Sequence, residues 1–218
     1  MSSLLSKKLK SQFQPHSSQQ DQQPEPVCTW SAHGPQSGPS TSPFPRYYHA
    51  LSATATATGE LFLFGGYVPS TSSSDPIPRN DLYVISTRDF STTLLQTGGE
   101  VPTPRGAHDT ALASTNLLIW SGWTEDGPHG PLDDSLRLLN LGTSYLFMSR
   151  STSLIRMSCA PVSREWTRIV ANGPGPGGRY AHTVTMVGSK FFVFGGQANR
   201  KYFNDMWALD LNSGAIVH

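Results

Sequence analysis

The sequence repeats one pattern three times. In each copy, an arginine with a histidine three residues later precedes an apolar run that ends at a glycine, and a polar loop then leads to a second apolar run. The third copy is the clearest, with RYAH at 179–182, FFVFGG at 191–196 and NDMWALDL at 204–211. Because a unit of this size cannot bury an apolar face alone, the copies are expected to pack against one another.

The landmark residues keep their order in all three copies, although Ser121 replaces the first glycine of the middle copy. We align Asp81, Asp134 and Asp205 as the residues that begin the second apolar run. The other landmarks are expected to have structural roles and are Arg46, His49, Gly65, Gly66, Arg105, His108, Gly122, Arg179, His182, Gly195 and Gly196.

The apolar runs at 61–64, 117–120 and 191–194 do not alternate with polar residues. A strand with such a sequence needs cover on both faces, as when its sheet lies between two others. Glycine tolerates positive φ and close approach of neighbouring backbone, so the glycines after these runs predict the points where strands end. The pattern therefore favours packed sheets over helices.

This combination of R-x-x-H, apolar run, glycine pair and second strand after an aspartate resembles the kelch repeat. The resemblance implies an all-β, kelch-type β-propeller in which each copy forms a four-stranded blade. We expect an incomplete propeller of three blades, with outer strands at 92–95 and 166–169. No outer strand is expected after the third copy, so the last blade is predicted to be truncated. A further outer strand, Val27–Trp30, is predicted to belong to a blade beyond residue 218.

The predicted organisation is a disordered Ser/Gln/Pro-rich tail at 1–26 and a partial propeller at 27–218. The copies are expected at about 45–95, 104–169 and 178–218. The middle copy is longer because of an insert at 143–163, which has no acidic residue and no landmark. The insert is either a real loop or a translated intron, and its composition favours the intron. Since three blades leave blade faces exposed, self-association is expected.

Charge and composition argue against several classes of function. The net charge is +1, from 16 Lys+Arg and 15 Asp+Glu, and no basic cluster is dense enough to bind nucleic acid. No apolar run reaches the roughly 18 residues of a membrane span, and residues 1–15 lack the apolar core of a secretory signal. We therefore expect a cytoplasmic protein in which Cys28 and Cys159 are free thiols.

The histidine of each copy invites a catalytic interpretation, because histidine is the commonest general acid and base. A catalytic group is needed once, whereas His49, His108 and His182 recur at one position. We therefore expect them to form hydrogen bonds between strands or blades, and we expect no enzyme activity, cofactor or metal ion. The alternative is a fragment of a galactose-oxidase-like enzyme, a kelch-fold oxidase with copper at the propeller axis, although neither cysteine lies where it could supply that enzyme's crosslink.

The favoured function is a non-catalytic scaffold for protein–protein interaction. The loops after the glycine positions differ in length and content, as expected for a surface that binds a partner. Aromatic and arginine side chains are the usual anchors of protein interfaces. The candidates in these loops are Tyr67, Arg79, Trp123, Arg200 and Tyr202.

A closer resemblance covers roughly residues 30–213. The segments PFPRYYHAL, LFLFGG, NDLYVIS, GPGPGGRYAHT and FNDMWALDLNS are similar to the N-terminal kelch region of fungal cell-end-marker and polarity proteins. This resemblance implies a scaffold at the cell cortex or cell tip whose partners are cytoskeletal or polarity factors. The long coiled coil that follows the propeller in those proteins is not found in this sequence.

Overall fold

A computed structural model describes residues 31–32, 42–142, 146–151, 154–159, 164–214 and 216–217. Residues 42–217 belong to a unit that spans 34–218, whereas Ser31 and Ala32 belong to a separate unit at 1–33. The predicted tail at 1–26 and the predicted strand Val27–Trp30 lie outside the described residues. In the described part of the chain, no helix is long and apolar enough to cross a membrane.

The first copy forms a four-stranded antiparallel sheet. Its strands are β1 (Ala50–Leu51), β2 (Glu60–Val68), β3 (Ile77–Ser86) and β4 (Thr92–Leu95), and they lie in chain order. The outer strand predicted at 92–95 is confirmed as β4. The pairing of β2 with β3 shifts register between Phe64 and Gly66, where Gly65 and Gly66 have φ values of 62° and 86°. Glycine permits this bend because it carries no Cβ.

The second copy forms a five-stranded sheet. In chain order, the strands of this region are β5 (Gly98–Gly99), β6 (Asp109–Ala113), β7 (Asn116–Trp120), β8 (Leu136–Asn140), β9 (Leu146–Ser151), β10 (Leu154–Cys159) and β11 (Glu165–Ile169). The sheet order is β5-β11-β8-β7-β6, while β9 and β10 form a separate antiparallel hairpin. The outer strand predicted at 166–169 is confirmed as β11. The short parallel strand β5 beside it is not predicted by the sequence pattern.

The third copy also forms a four-stranded sheet. The strands of this region are β12 (Thr183–Val187), β13 (Lys190–Phe194), β14 (Gln197–Ala198), β15 (Lys201–Tyr202), β16 (Met206–Asp210) and β17 (Ile216–Val217). The sheet order is β12-β13-β16-β17, and β14 pairs with β15 in a separate hairpin. The prediction that no outer strand follows the third copy is wrong, because β17 pairs with β16. The last blade is truncated in that this strand has only 2 residues.

The pairing also corrects the alignment of the middle copy. Phe64 pairs with Leu82 in the first sheet, Trp120 with Leu136 in the second and Phe194 with Met206 in the third. Ser135 therefore occupies the position of Asp81 and Asp205. The predicted equivalence of Asp134 is wrong by one residue, because Ser135, and not Asp134, precedes Leu136, the residue that pairs with Trp120.

Two apolar clusters hold the three sheets together. The first joins the first and second sheets and consists of Phe62, Phe64, Leu82, Leu117, Ile119, Leu139 and Trp166. The second joins the second and third sheets and consists of Ala111, Leu118, Trp120, Leu136, Phe191 and Val193. Successive side chains of a strand point to opposite faces, so β7 supplies alternate residues to the two clusters. This arrangement accounts for the unbroken apolar run at 117–120.

The face of each sheet that carries the residue just before the glycine position is called here the forward face. The forward face of the first sheet is covered by the second sheet, and Phe64 is 0% exposed. The forward face of the second sheet is covered by the third, and Trp120 is 4% exposed. On the third sheet the equivalent Phe194 is 50% exposed, beside Val187 at 63% and Met206 at 60%. Such an apolar patch favours association.

We predict that the 218-residue chain, expressed alone, self-associates through this forward face. Phe194→Ser should shift the population toward the monomer, because it places a hydroxyl in the patch that drives association. Light scattering coupled to size-exclusion chromatography would measure the mass. Tyr202→Ser is the matched control, because Tyr202 is 83% exposed and lies outside this face. A monomeric parent chain with a sharp, reversible melting transition would contradict the prediction.

Candidate functional site

Each copy contains a buried arginine that holds the glycine turn and an aspartate together. Its guanidinium donates to the backbone oxygen at the first glycine position, with distances of 2.7 Å for Arg46–Gly65, 2.9 Å for Arg105–Ser121 and 3.0 Å for Arg179–Gly195. It also pairs with a carboxylate, at 2.8 Å for Arg46–Asp81, 2.7 Å for Arg105–Asp133 and 2.6 Å for Arg179–Asp205. One side chain therefore fixes the end of one strand relative to the start of the next.

In the second and third copies, the aspartate of the ion pair stays charged although its arginine lies inside the protein. The Arg105 side chain is 1% exposed, and its partner Asp133 is 26% exposed. Burial alone would raise the pKa of Asp133, but hydrogen bonds from Ser135 and Arg105 outweigh it and lower the pKa. The pKa of Asp205 is lowered in the same way, since hydrogen bonds from Arg179 and Trp207 outweigh burial. In the middle copy, Asp133 thus forms the ion pair that Asp81 and Asp205 form in the other copies, although the residue aligned with them is Ser135.

The histidines of the second and third copies are buried and neutral, whereas His49 of the first copy is half-buried, and burial with the charge of Arg46 lowers its pKa. Burial, with the charge of Arg105, lowers the pKa of His108 to about 3, and burial with Arg179 lowers the pKa of His182 to about 4. Among the described residues, no ring nitrogen of these two histidines has a partner within strict hydrogen-bond geometry. Interaction with the backbone of the preceding sheet, at Phe64 for His108 and at Trp120 for His182, nevertheless acts to raise the two pKa values and so opposes the effect of burial.

The histidine rings instead pack edge-on against an aromatic ring of the preceding sheet. The centroid of His108 lies 5.5 Å from that of Phe64, and the centroid of His182 lies 4.8 Å from that of Trp120. Edge-to-face contacts of this kind are favourable. Each histidine therefore caps the forward face of the sheet before it.

The residue before each histidine forms a backbone ladder across the copies. Tyr48, Ala107 and Ala181 all have positive φ, at 55°, 52° and 53°. The Ala107 amide donates to the Tyr48 oxygen at 2.9 Å, and the Ala181 amide donates to the Ala107 oxygen at 3.0 Å. The left-handed conformation is uncommon for residues other than glycine, so its recurrence shows that this ladder is built into the repeat.

Five aromatic rings form a continuous row across the three copies, which we call the aromatic row. Neighbouring ring centroids are 5.8 Å apart for Tyr67–Tyr47, 5.1 Å for Tyr47–Tyr48, 5.0 Å for Tyr48–Trp123 and 4.7 Å for Trp123–Tyr180. The Tyr67 hydroxyl donates to the Thr124 oxygen at 2.9 Å, which ties the first copy to the second. Gly106 makes room for this ring, because a Cβ there would lie 2.6 Å from Tyr67.

A cavity of about 320 Å³ lies beside the aromatic row and is called the aromatic cavity. Its lining includes Tyr47, Tyr48, Tyr67 and Trp123, together with the acidic residues Asp75, Glu125 and Asp126. Tyr47 is 44% exposed and Tyr48 is 53% exposed. The cavity thus presents aromatic faces and carboxylates to solvent on a backbone held by hydrogen bonds between copies.

The structure brings two of the five predicted partner residues together. Tyr67 lies in β2 and is buried, and Trp123 is half-buried in the same row. Arg79 is exposed in β3 and lines a different cavity, with residues of 42–46. Arg200 lies between β14 and β15, and Tyr202 lies in β15.

The sequence interpretation missed Tyr47, Tyr48 and Tyr180. They occupy the two variable positions of R-x-x-H, and the pattern directs attention to the arginine and histidine instead. Aromatic residues at these positions in two copies were the available signal. In the part of the chain that the structure describes, no group of three or more His, Cys, Asp or Glu side chains could hold a metal ion.

Comparison with known proteins places this arrangement among repeat proteins. The KLHDC2/KLHL20/DRC7 Kelch-repeats domain matches residues 49–217. Tip elongation aberrant protein 1 of Schizosaccharomyces pombe is 34% identical over 174 residues, which cover 80% of this chain and 13% of that protein. Kelch repeat-containing protein 2 of Saccharomyces cerevisiae is 28% identical over 79% of this chain and 18% of its own length.

A shorter relative matches as well. The Rab9 effector protein with kelch motifs of Xenopus laevis is 27% identical over 165 residues, which cover 76% of this chain and 38% of that protein. The chain therefore spans less than two thirds of the length of each of these relatives.

We predict that Arg105→Met lowers the free energy of unfolding by about 3 kcal/mol, because it leaves the Asp133 carboxylate and the Ser121 oxygen without their donor. Urea denaturation in a Phe194→Ser background, which limits association, would measure the change. The control is Arg137→Met, which breaks the exposed 3.3 Å pair with Glu100 and should cost less than about 1 kcal/mol. Equal effects of the two substitutions would contradict the role given to Arg105.

A second prediction concerns acid stability. The folded-state pKa values of His108 and His182, about 3 and about 4, lie below the ordinary value of 6.5, so unfolding takes up protons below pH 6.5. The contribution of these histidines to the free energy of unfolding should be fully present above pH 6.5. It should be lost as the pH decreases toward 4, by about 1.4 kcal/mol per pH unit for each histidine.

The variant His108→Phe isolates this contribution, because it keeps a ring against Phe64 but cannot take up a proton. Between pH 6 and pH 4.5, the slope of the free energy of unfolding against pH should decrease by one histidine's share. Urea denaturation at several pH values would measure the slope. A slope that is the same in the parent chain and the variant would show that His108 is not buried as a neutral ring.

Proposed function

This chain belongs to the kelch-repeat family, and on that premise we propose that it is a non-catalytic scaffold that binds other proteins. The observation that carries the proposal is the aromatic row, which exposes Tyr47 and Tyr48 beside a cavity. Aromatic side chains bury a large area at small entropic cost and are enriched in the centres of protein interfaces. The row is therefore the surface on which a partner is proposed to dock.

The rigidity of this surface supports a binding role. Tyr48 belongs to the backbone ladder, and Tyr67 and Trp123 are held by backbone pairing with Tyr47 and Gly106. A surface that is already ordered loses little conformational freedom when a partner binds. This favours a docking site over a flexible loop that must be ordered by its ligand.

The state of the histidines supports the non-catalytic part of the proposal. A general base must reach the proton that it removes, whereas the rings of His108 and His182 are each 6% exposed and face aromatic side chains. Their low pKa values follow from burial in every copy where a sheet precedes them, which is a property of packing. They are proposed to cap sheets and not to transfer protons.

The proposed setting is cell polarity at the cell cortex or tip, with cytoskeletal or polarity factors as partners. Support comes from the 34% identity to a protein named for aberrant tip elongation, which extends over 80% of this chain. Within such an assembly, this chain is the part that binds the partner protein.

The test is localisation of a fluorescent fusion in tip-growing fungal cells. We expect enrichment at growing tips and loss of that enrichment in the double variant Tyr47→Ser/Tyr48→Ala, with an unchanged circular dichroism spectrum. Leu94→Ala is the control, because it shortens an exposed apolar side chain of β4 outside the row and should leave the enrichment intact.

A diffuse fusion protein would contradict the polarity setting. Production of hydrogen peroxide from sugar alcohols by the copper-treated purified chain would contradict the non-catalytic assignment and support an oxidase.

A further inference from the structure

The aromatic cavity carries charge of one sign. Its lining residues include Asp75, Glu125 and Asp126 and no lysine or arginine. All three carboxylate residues are exposed, and none of them forms an ion pair with another residue of the described chain. The cavity therefore combines aromatic faces with negative charge that the protein does not itself neutralise.

Tyr48 occupies a position where the fold does not require a tyrosine. The equivalent residues of the second and third copies are Ala107 and Ala181, which have the same left-handed backbone and the same place in the ladder. A bulky side chain with positive φ is unusual, and here its ring is 53% exposed at the cavity. The ring packs between Tyr47 and Trp123, but the ladder keeps its geometry with alanine in the other two copies, and the half-exposed ring points to recognition.

We propose that the aromatic cavity binds an arginine-containing segment of a partner protein, a proposal that rests on the scaffold function given above. A guanidinium stacks on aromatic faces through cation–π attraction. Its planar set of N–H donors also matches carboxylates, which a lysine ammonium does less well. Tyr47 and Tyr48 supply the ring faces, and Glu125 and Asp126 supply the acceptors at the cavity edge.

The same features disfavour other occupants. Unpaired carboxylates repel a phosphorylated or acidic peptide, and a purely apolar peptide would leave them without a partner or bury them at a cost. A basic segment gains from both parts of the lining. Charge complementarity therefore selects the chemistry of the partner.

The test uses a fluorescein-labelled twelve-residue peptide with three arginines separated by Gly-Ser spacers, titrated with the purified full chain while fluorescence anisotropy is recorded. We expect saturable binding that weakens about tenfold in Tyr48→Ala, since a cation–π contact of this kind is lost. Glu125→Gln/Asp126→Asn should weaken binding by a similar factor. A peptide with lysine in place of arginine should bind several-fold more weakly, and a glutamate peptide should not bind.

Leu94→Ala, in β4 and outside the cavity, serves as the control and should bind the arginine peptide as the parent chain does. The proposal is overturned if the arginine peptide does not bind, if Tyr48→Ala binds it unchanged, or if a trimethyl-lysine peptide binds as tightly, which would indicate an ammonium cage. Failure here, with tip enrichment that still depends on Tyr47 and Tyr48, would leave the scaffold function standing and refute only the arginine partner. Peptide binding by a fusion that is diffuse in cells would support the arginine partner and contradict only the polarity setting.

Discussion

The buried arginine of each copy is the constraint on which the rest of the repeat depends. A guanidinium that is 1% to 3% exposed must have its hydrogen bonds satisfied by the protein. Each arginine meets this need with a carbonyl at the glycine turn and with an aspartate that lies in the next strand or just before it. The turn and the aspartate are therefore held at fixed positions, and the strands on either side follow from them. The middle copy keeps this arrangement, although Ser121 replaces the glycine of the pattern and Asp133 lies two residues before Ser135, the position aligned with Asp81.

The contacts between sheets build on this frame at two levels. Alternate residues of β7 fill the cores on both sides of the second sheet. At the rim, the Gly66 amide donates to the Arg105 oxygen at 2.8 Å, and the Gly122 amide donates to the Arg179 oxygen at 2.9 Å. The residue that satisfies its own turn thus also accepts a hydrogen bond from the preceding copy. Cohesion within a sheet and between sheets is coupled through the same arginine.

The sequence predicts most strands of the three sheets, but it does not predict the aromatic row that the copies form together. The strands at 92–95 and 166–169 follow from the order of strands within each copy, and Trp166, which marks the second of them, is buried in the core. The strand Ile216–Val217 was missed because two residues are too short for a pattern. The register at Asp134 depends on loop geometry that residue type does not reveal. The aromatic row joins rings from three copies, including Tyr47 and Tyr180, which are far apart in the chain. Only the packing of one copy on the next brings them together.

The backbone ladder gives the stack of sheets a direction. Each copy offers a carbonyl to the copy that follows and an amide to the copy that precedes, as Ala107 does for Ala181 and Tyr48. Donor and acceptor are therefore not interchangeable, and two forward faces brought together would set carbonyl against carbonyl. Any unit that packs on the third sheet in the same way must bring an N–H to the oxygen of Ala181. The fold distinguishes head-to-tail from head-to-head stacking through the backbone itself, whatever side chains the added unit carries.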